Sequence, residues 1–220
     1  MNTQEKYNLL VNRFEAAANP KDAEAMSAYL RHQFSFFGVR TPARRLLYKD
    51  IIAADKKAKF LDWDLLDLAW NLPHRELDYF VCDYLKSQQT LLTFDDIPKL
   101  LTYATSHQWW DSIDSLDRIF GNIVDDRIRD LMLEFAQSED FWLCRLAIDH
   151  QLGRKEKTDT DLLEKIILLN LGSKEFFINK SIGWALRDYS KVNPNWVRTF
   201  LQQHKEKLAP LSIKEASKYI

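Results

Sequence analysis

Apolar residues return along this chain every three or four positions, and no stretch sustains the two-residue alternation of a half-buried strand. The pattern predicts helices over about Gln4–Ala18, Lys21–His32, Pro42–Ala54, a leucine-rich segment from Lys59 to near Asn71, Pro73–Lys86 and Asp95–Tyr103. A helix opening at Gln108 follows, then Asp125–Gln137, Glu139–Leu152, Asp159–Leu171, Ser173–Tyr189, Asn193–His204 and a short piece from Ser212. Asn19-Pro20 stops the first helix, and Thr41-Pro42 gives the third an N-cap and a first-turn proline. Helix pairs start again every 30 to 40 residues or so, the period of an α-solenoid. The expected fold is therefore all-α, an α-solenoid of HEAT-like helix pairs in a single domain over residues 1–220, with an irregular helical bundle as the alternative. Such a solenoid presents a concave groove lined by one helix of each pair.

Three of these helices carry an aromatic or charged residue off their apolar stripe. In the segment from Gln108, Trp109, Ile113, Leu116 and Phe120 share the core-facing stripe, while Trp110 and Asp114, four apart, lie together on a neighbouring face. Trp109 is thus expected to be the more buried tryptophan. Asp114 also stands four residues before Arg118, so an exposed helix pair is the plainer alternative, with Trp110 as a second core residue. In the helix after Ser173, Ile178, Ile182, Ala185 and Tyr189 face inward, and Lys180, Trp184, Arg187 and Lys191 form a second row. A tryptophan among cations suits a nucleic-acid surface, and equally a core edge with basic stems packed over it. In Glu139–Leu152, Leu143, Leu146 and Ala147 are expected inside, with Trp142, Arg145 and Asp149 on another face. Arg145 has two readings, a pair with Asp149 or a fork for a phosphate.

Composition narrows the function classes. A hydrophobic content of 46% with 13% aromatic residues, in 220 residues, excludes disorder. No apolar run reaches the length of a membrane span and the first residues are polar, so a cytoplasmic protein without membrane association is expected. Cys82 and Cys144 lie far apart with no CxxC partner, and the five histidines show no ligand spacing, so no metal is expected. Gly-rich phosphate loops are absent, and no cofactor is expected. The net charge of −1 hides a gradient: from Phe141 onward there are 14 Lys and Arg against 9 Asp and Glu, and before it 17 against 23. The basic part is where an anionic partner would bind.

Several segments, in order and spanning almost the whole chain, resemble the AlkD-type DNA alkylation repair glycosylases, which are HEAT-like helical-repeat proteins. They are Tyr29-Leu30-Arg31-His32-Gln33-Phe34-Ser35-Phe36-Phe37-Gly38-Val39 with Thr41-Pro42-Ala43-Arg44-Arg45, Trp109-Trp110-Asp111-Ser112-Ile113-Asp114, Trp142-Leu143-Cys144-Arg145, Lys174 to Trp184, and Leu208-Ala209-Pro210-Leu211-Ser212. Ser35, Phe37, Asp149 and His150 depart from the family's usual residues. The resemblance implies a monomeric, monofunctional enzyme that excises positively charged N3- or N7-alkylated purines from double-stranded DNA without a base-specific pocket. It implies that Trp110 and Trp184 embrace the lesion's sugar and backbone, that Asp114 stabilises the oxocarbenium-like centre, that Arg145 holds a phosphate and that Tyr29 helps close the cleft. Lys180, Arg187 and Lys191 would add phosphate contacts. An inert homologue binding unusual nucleic acid and a helical scaffold for a protein partner are the alternatives.

Overall fold

Thirteen α-helices, joined by short loops and 3-10 turns, account for the architecture of the computed structural model, which describes all residues Met1–Ile220. Ser35 and His74 form one isolated parallel bridge, and there is no sheet. No helix is long and apolar enough to cross a membrane. Where one domain is expected, the helices gather into two compact units, Met1–Leu92 and Thr93–Ile220.

The first unit contains α1 (Thr3–Ala16), α2 (Pro20–Tyr29), α3 (Thr41–Ala58), α4 (Trp63–Trp70) and α5 (Arg75–Ser87). Its helix starts follow side-chain chemistry. Asn2 and Glu5 close a capping box on α1, Asn19 caps α2 ahead of Pro20, and the Asp62 carboxylate accepts from the Leu65 amide at the start of α4. Leu10, Phe14, Tyr48, Ile51, Leu65, Leu66 and Phe80 are fully or almost fully buried. Buried polar groups are paired: Lys6 bonds Asp55 at 2.6 Å and Asp62 at 2.8 Å.

The connector between α2 and α3 is held from α5. Glu76, with no exposed surface, accepts the backbone N–H groups of Phe37, Gly38 and Val39 at 3.1, 2.8 and 3.0 Å. One buried carboxylate thereby satisfies three amides of a segment with no helix of its own. Gly38 is needed there, because its φ of +89° is disfavoured for side chains and an added Cβ would fall on the backbone oxygen of Asn19.

The second unit contains α6 (Ile97–Ala104), α7 (Trp110–Gly121), α8 (Arg127–Phe135), α9 (Phe141–Asp149), α10 (Thr160–Asn170), α11 (Phe176–Ser190), α12 (Pro194–Gln203) and α13 (Pro210–Ala216). Here α7, α9, α11 and α13 stack in succession, with α6 against α7, α8 and α10 against α9, and α12 against α11. This is the paired, layered helix stacking of an α-solenoid. The contact of α11 with α13 is close because residue 183 is glycine: a Cβ there would lie 2.5 Å from that of Glu215.

Two helix faces differ from expectation. Trp109 is not in α7 but is its N-cap, in an extended conformation with φ −161° and ψ 162°. It packs edge-on against Phe177 and tilted against Trp142, with ring centroids 5.5 and 5.7 Å away, and both tryptophans of the pair are partly exposed. The helical stripe through Trp109 therefore does not exist, and the core face of α7 is made by Ile113, Leu116, Ile119 and Phe120. In α9, Leu146 and Ala147 are buried as expected, but Trp142, Arg145 and Asp149, expected on another face, are buried with them, while Leu143 is partly exposed. A middle helix flanked by α7, α8, α10 and α11 buries almost its whole circumference, so polarity did not mark its outer face.

Candidate active site

Asp114 lies one turn after Trp110 on α7, and its carboxylate turns across to α9. Arg145 Nε and Nη2 donate to its two oxygens at 2.8 and 2.9 Å, a bidentate pair. The third guanidinium nitrogen, Nη1, donates to the Phe177 carbonyl at 2.8 Å. Arg145 is only 1% exposed, whereas the Asp114 side chain keeps 18% of its surface open. Arg118 addresses the backbone carbonyl of Asp114 instead of its carboxylate, so the exposed helix pair between them does not form. The Arg145 fork is occupied by a carboxylate, where the resemblance gives it a phosphate; burial and these three bonds keep it from the surface.

Arg145 also joins Asp114 to α11, for its guanidinium lies over the Trp184 ring, 5.3 Å from the centroid. Lys180 and Arg187 flank the same ring at 5.7 and 5.8 Å. A partly exposed indole is thus surrounded by three cations, a geometry in which the ring's negative face and the positive charges support one another. Lys180 and Arg187 do not stand free. Glu215 of α13 accepts from Lys180 at 2.6 Å, Arg187 at 2.7 Å and Lys218 at 2.7 Å. The bonds from Lys180 and Lys218 hold the Glu215 carboxyl at about 2. Three cations share one carboxylate, so the cluster retains an excess of positive charge beside Trp184.

The remaining expected residues lie elsewhere. Lys191 pairs with Asp188 at 3.4 Å and covers the Tyr219 ring. Tyr29 ends α2 in the first unit and is 73% exposed. The structure therefore brings Asp114, Arg145, Trp184, Lys180 and Arg187 together within the second unit, with Trp110 on the turn preceding Asp114.

Two further carboxyl groups lie beneath Asp114. Asp117 of α7 and Asp149 of α9 have no exposed surface, and one oxygen of each approaches an Asp114 oxygen so that all three lie within 4.8 Å of one another. Such a group has the spacing to hold a cation, and the positive charge there is that of Arg145, whose Nη2 is 3.7 Å from Asp149. Asp117 has a sequence signal: it stands four residues after Ile113, on the apolar face of α7. Glu215 has none, being one acidic residue in a basic tail.

Burial pushes Asp149 up to about 6 against the pull of Arg145, pushes Asp117 well above the usual carboxylate range, and raises Asp114 in spite of Arg145 and Arg118. An aspartate whose folded pKa exceeds the unfolded value keeps its proton in the folded chain after the unfolded chain has lost it. Its contribution to stability is therefore largest below about pH 4 and declines as the pH rises to about 6. Asp149→Asn removes that decline. Thermal unfolding at about pH 4 and about pH 6.5 is expected to show a smaller difference in Tm for the variant than for the parent.

By class, this is an all-helical protein of stacked helix pairs with a carboxylate, an arginine and a tryptophan assembled across three stacked helices. Residues 10–220 match the model of the DNA alkylation repair enzyme family, and the chain belongs to that family. Among solved structures, the "Predicted DNA alkylation repair enzyme from Enterococcus faecalis" is 35% identical, with a TM-score of 0.83, covering 92% of this chain and 96% of its own. A search of curated proteins finds no match.

Proposed function

We propose that this protein is a monofunctional DNA glycosylase that hydrolyses the N-glycosidic bond of positively charged N3- or N7-alkylated purines in duplex DNA, without flipping the base into a pocket. One observation carries this: a partly exposed carboxylate, Asp114, is held bidentate by a buried arginine that itself lies against Trp184. As the bond from C1′ to the purine nitrogen breaks, its electron pair leaves with the base and neutralises it, and positive charge develops on the sugar. A fixed carboxylate in a site partly shielded from water stabilises that charge more in the transition state than in the ground state. Water then bonds to C1′ and its proton passes to the Asp114 carboxylate and from there to solvent. Alkylation has already made the base a good leaving group, so no general acid is needed to protonate it.

Trp110 and Trp184 offer indole faces to the cationic sugar, and Lys180, Arg187 and Lys191 attract the backbone phosphates. Arg145 acts on DNA through Asp114, by fixing the carboxylate. The protein works as a monomer without a cofactor. Incubation with methylated duplex DNA at a temperature that leaves the DNA intact should release free alkylbase, detected chromatographically. Tight binding with no release would assign the chain to inert homologues that hold unusual nucleic acid, and absence of both would leave a protein-binding scaffold.

A further inference from the structure

Asp149 is a carboxyl group that the proposed chemistry does not use, in a place where an idle charge is costly. It has no exposed surface, and neither of its oxygens has a hydrogen bond. An ionised carboxylate buried without donors is strongly unfavourable, so a group placed this way is either protonated or waiting for a donor. The cationic donor beside it is Arg145. Its Nη2 spends one hydrogen on Asp114 at 2.9 Å, and its second N–H has Asp149 as a nearby acceptor, 3.7 Å away.

We propose that Asp149 is a positioning residue, a second seat for the Arg145 guanidinium that draws it part of the way off Asp114 and so leaves the Asp114 carboxylate available to the sugar cation. The inference rests on Asp114 acting as proposed above. When Asp149 is protonated, Arg145 stays bidentate on Asp114, which keeps the carboxylate in place but offsets more of the charge it turns to the sugar. When Asp149 is ionised, the two carboxylates divide the guanidinium, and Asp114 faces the cleft with less of its charge cancelled. Reach is not an obstacle, because closing from 3.7 Å to a hydrogen bond near 2.9 Å requires less than an ångström of movement.

The charged groups acting on Asp149 are Asp114, Asp117 and Arg118 from α7 and Arg145 from its own helix. From α11 comes the Ser181 hydroxyl, buried without a formed hydrogen bond and close enough to favour the charged form. Burial, helped by the Asp114 charge, outweighs Arg145, Ser181 and Arg118 and pushes the group up to about 6. The handover of Arg145 therefore falls just below neutrality. Burial, and after it the charges of Asp149 and Asp114, also push Asp117 well above the usual carboxylate range against the pull of Arg118.

Asp149→Asn, which keeps the shape and removes the charge, tests this. In single-turnover base release, the parent rate should rise through about pH 6 as Asp149 ionises. The variant rate should match the parent's near pH 5 and fail to rise, ending roughly three- to tenfold low at pH 7.5, with DNA affinity unchanged. A merely structural role would lower the rate by one factor at every pH, and that result would overturn the proposal, as would a variant profile that still rises through pH 6. A second readout does not depend on activity: the 15Nε resonance of Arg145 in the DNA-free protein should move through the same pH in the parent and stay still in the variant. If that resonance is pH-independent in the parent, the second seat does not exist. If it moves as expected while no base is released at any pH, the glycosylase reading fails and the arginine handover stands.

Discussion

Asp114→Asn is expected to lower the single-turnover rate of alkylbase release by about ten- to a thousandfold, the range for loss of one preorganised electrostatic group. Fold and DNA affinity should stay close to the parent's. The substitution keeps the side chain's size, and an amide oxygen can still accept one of the two bonds from Arg145. The arginine is not stranded, because Phe177 still accepts from Nη1 and Asp149 stands 3.7 Å from Nη2. What disappears is the negative charge facing the sugar. Arg118→Gln is the control: Arg118 is 40% exposed at its side chain, bonds the backbone carbonyl of Asp114 and lies 3.6 Å from Asp117, so its loss should leave the rate nearly intact. An Asp114→Asn protein that folds normally and excises at the parent rate would remove Asp114 from the chemistry and return the chain to the class of binders.

The helices were legible because their signals are local. A 3.6-residue apolar period, Asn19 before Pro20, Pro42 in the first turn of α3 and Asp159 before α10 need no knowledge of the rest of the chain, although Thr41, expected to cap α3, is its first residue, with Arg40 at the N-cap and no side-chain cap bond. Trp109 shows the limit, since a tryptophan that reaches the core from an extended N-cap has the same spacing to Ile113 as one that begins the stripe. The site was legible as parts. Asp114 had Arg118 as a local partner and Arg145 had Asp149, each at the four-residue spacing of a helix pair. The observed bond joins Asp114 to Arg145 across two helices, 31 residues apart. Nothing in either helix distinguishes that pairing from the local ones, because the choice is made by the stacking of α7 on α9. The Glu215 hub is hidden for the same reason: it exists only because Gly183 lets α13 come close enough to α11 for one carboxylate to reach both Lys180 and Arg187.

Gly38→Ala should be the most damaging substitution in the first unit, costing about 3–5 kcal/mol. Two effects add. A side chain at φ +89° costs about 1–2 kcal/mol by itself. The new Cβ would also overlap the backbone oxygen of Asn19 and lie 2.6 Å from the amide nitrogen of Ala23, and backbone atoms cannot swing aside as a flexible side chain does. Relief requires α2 to move away from the connector. That motion breaks the bond from Asn19 N–H to the Phe37 carbonyl at 2.8 Å, or loosens the three amides held by Glu76. Gly153→Ala separates the two effects, for Gly153 has a similar φ of +84° with no atom within 4 Å of the added Cβ, and its replacement should cost only the conformational part, about 1–2 kcal/mol. Urea unfolding of both variants followed by circular dichroism measures the difference. Equal losses would mean that α2 yields freely, and that neither the Glu76 anchor nor the close approach at Gly38 fixes where this helix, with Tyr29 at its end, is held.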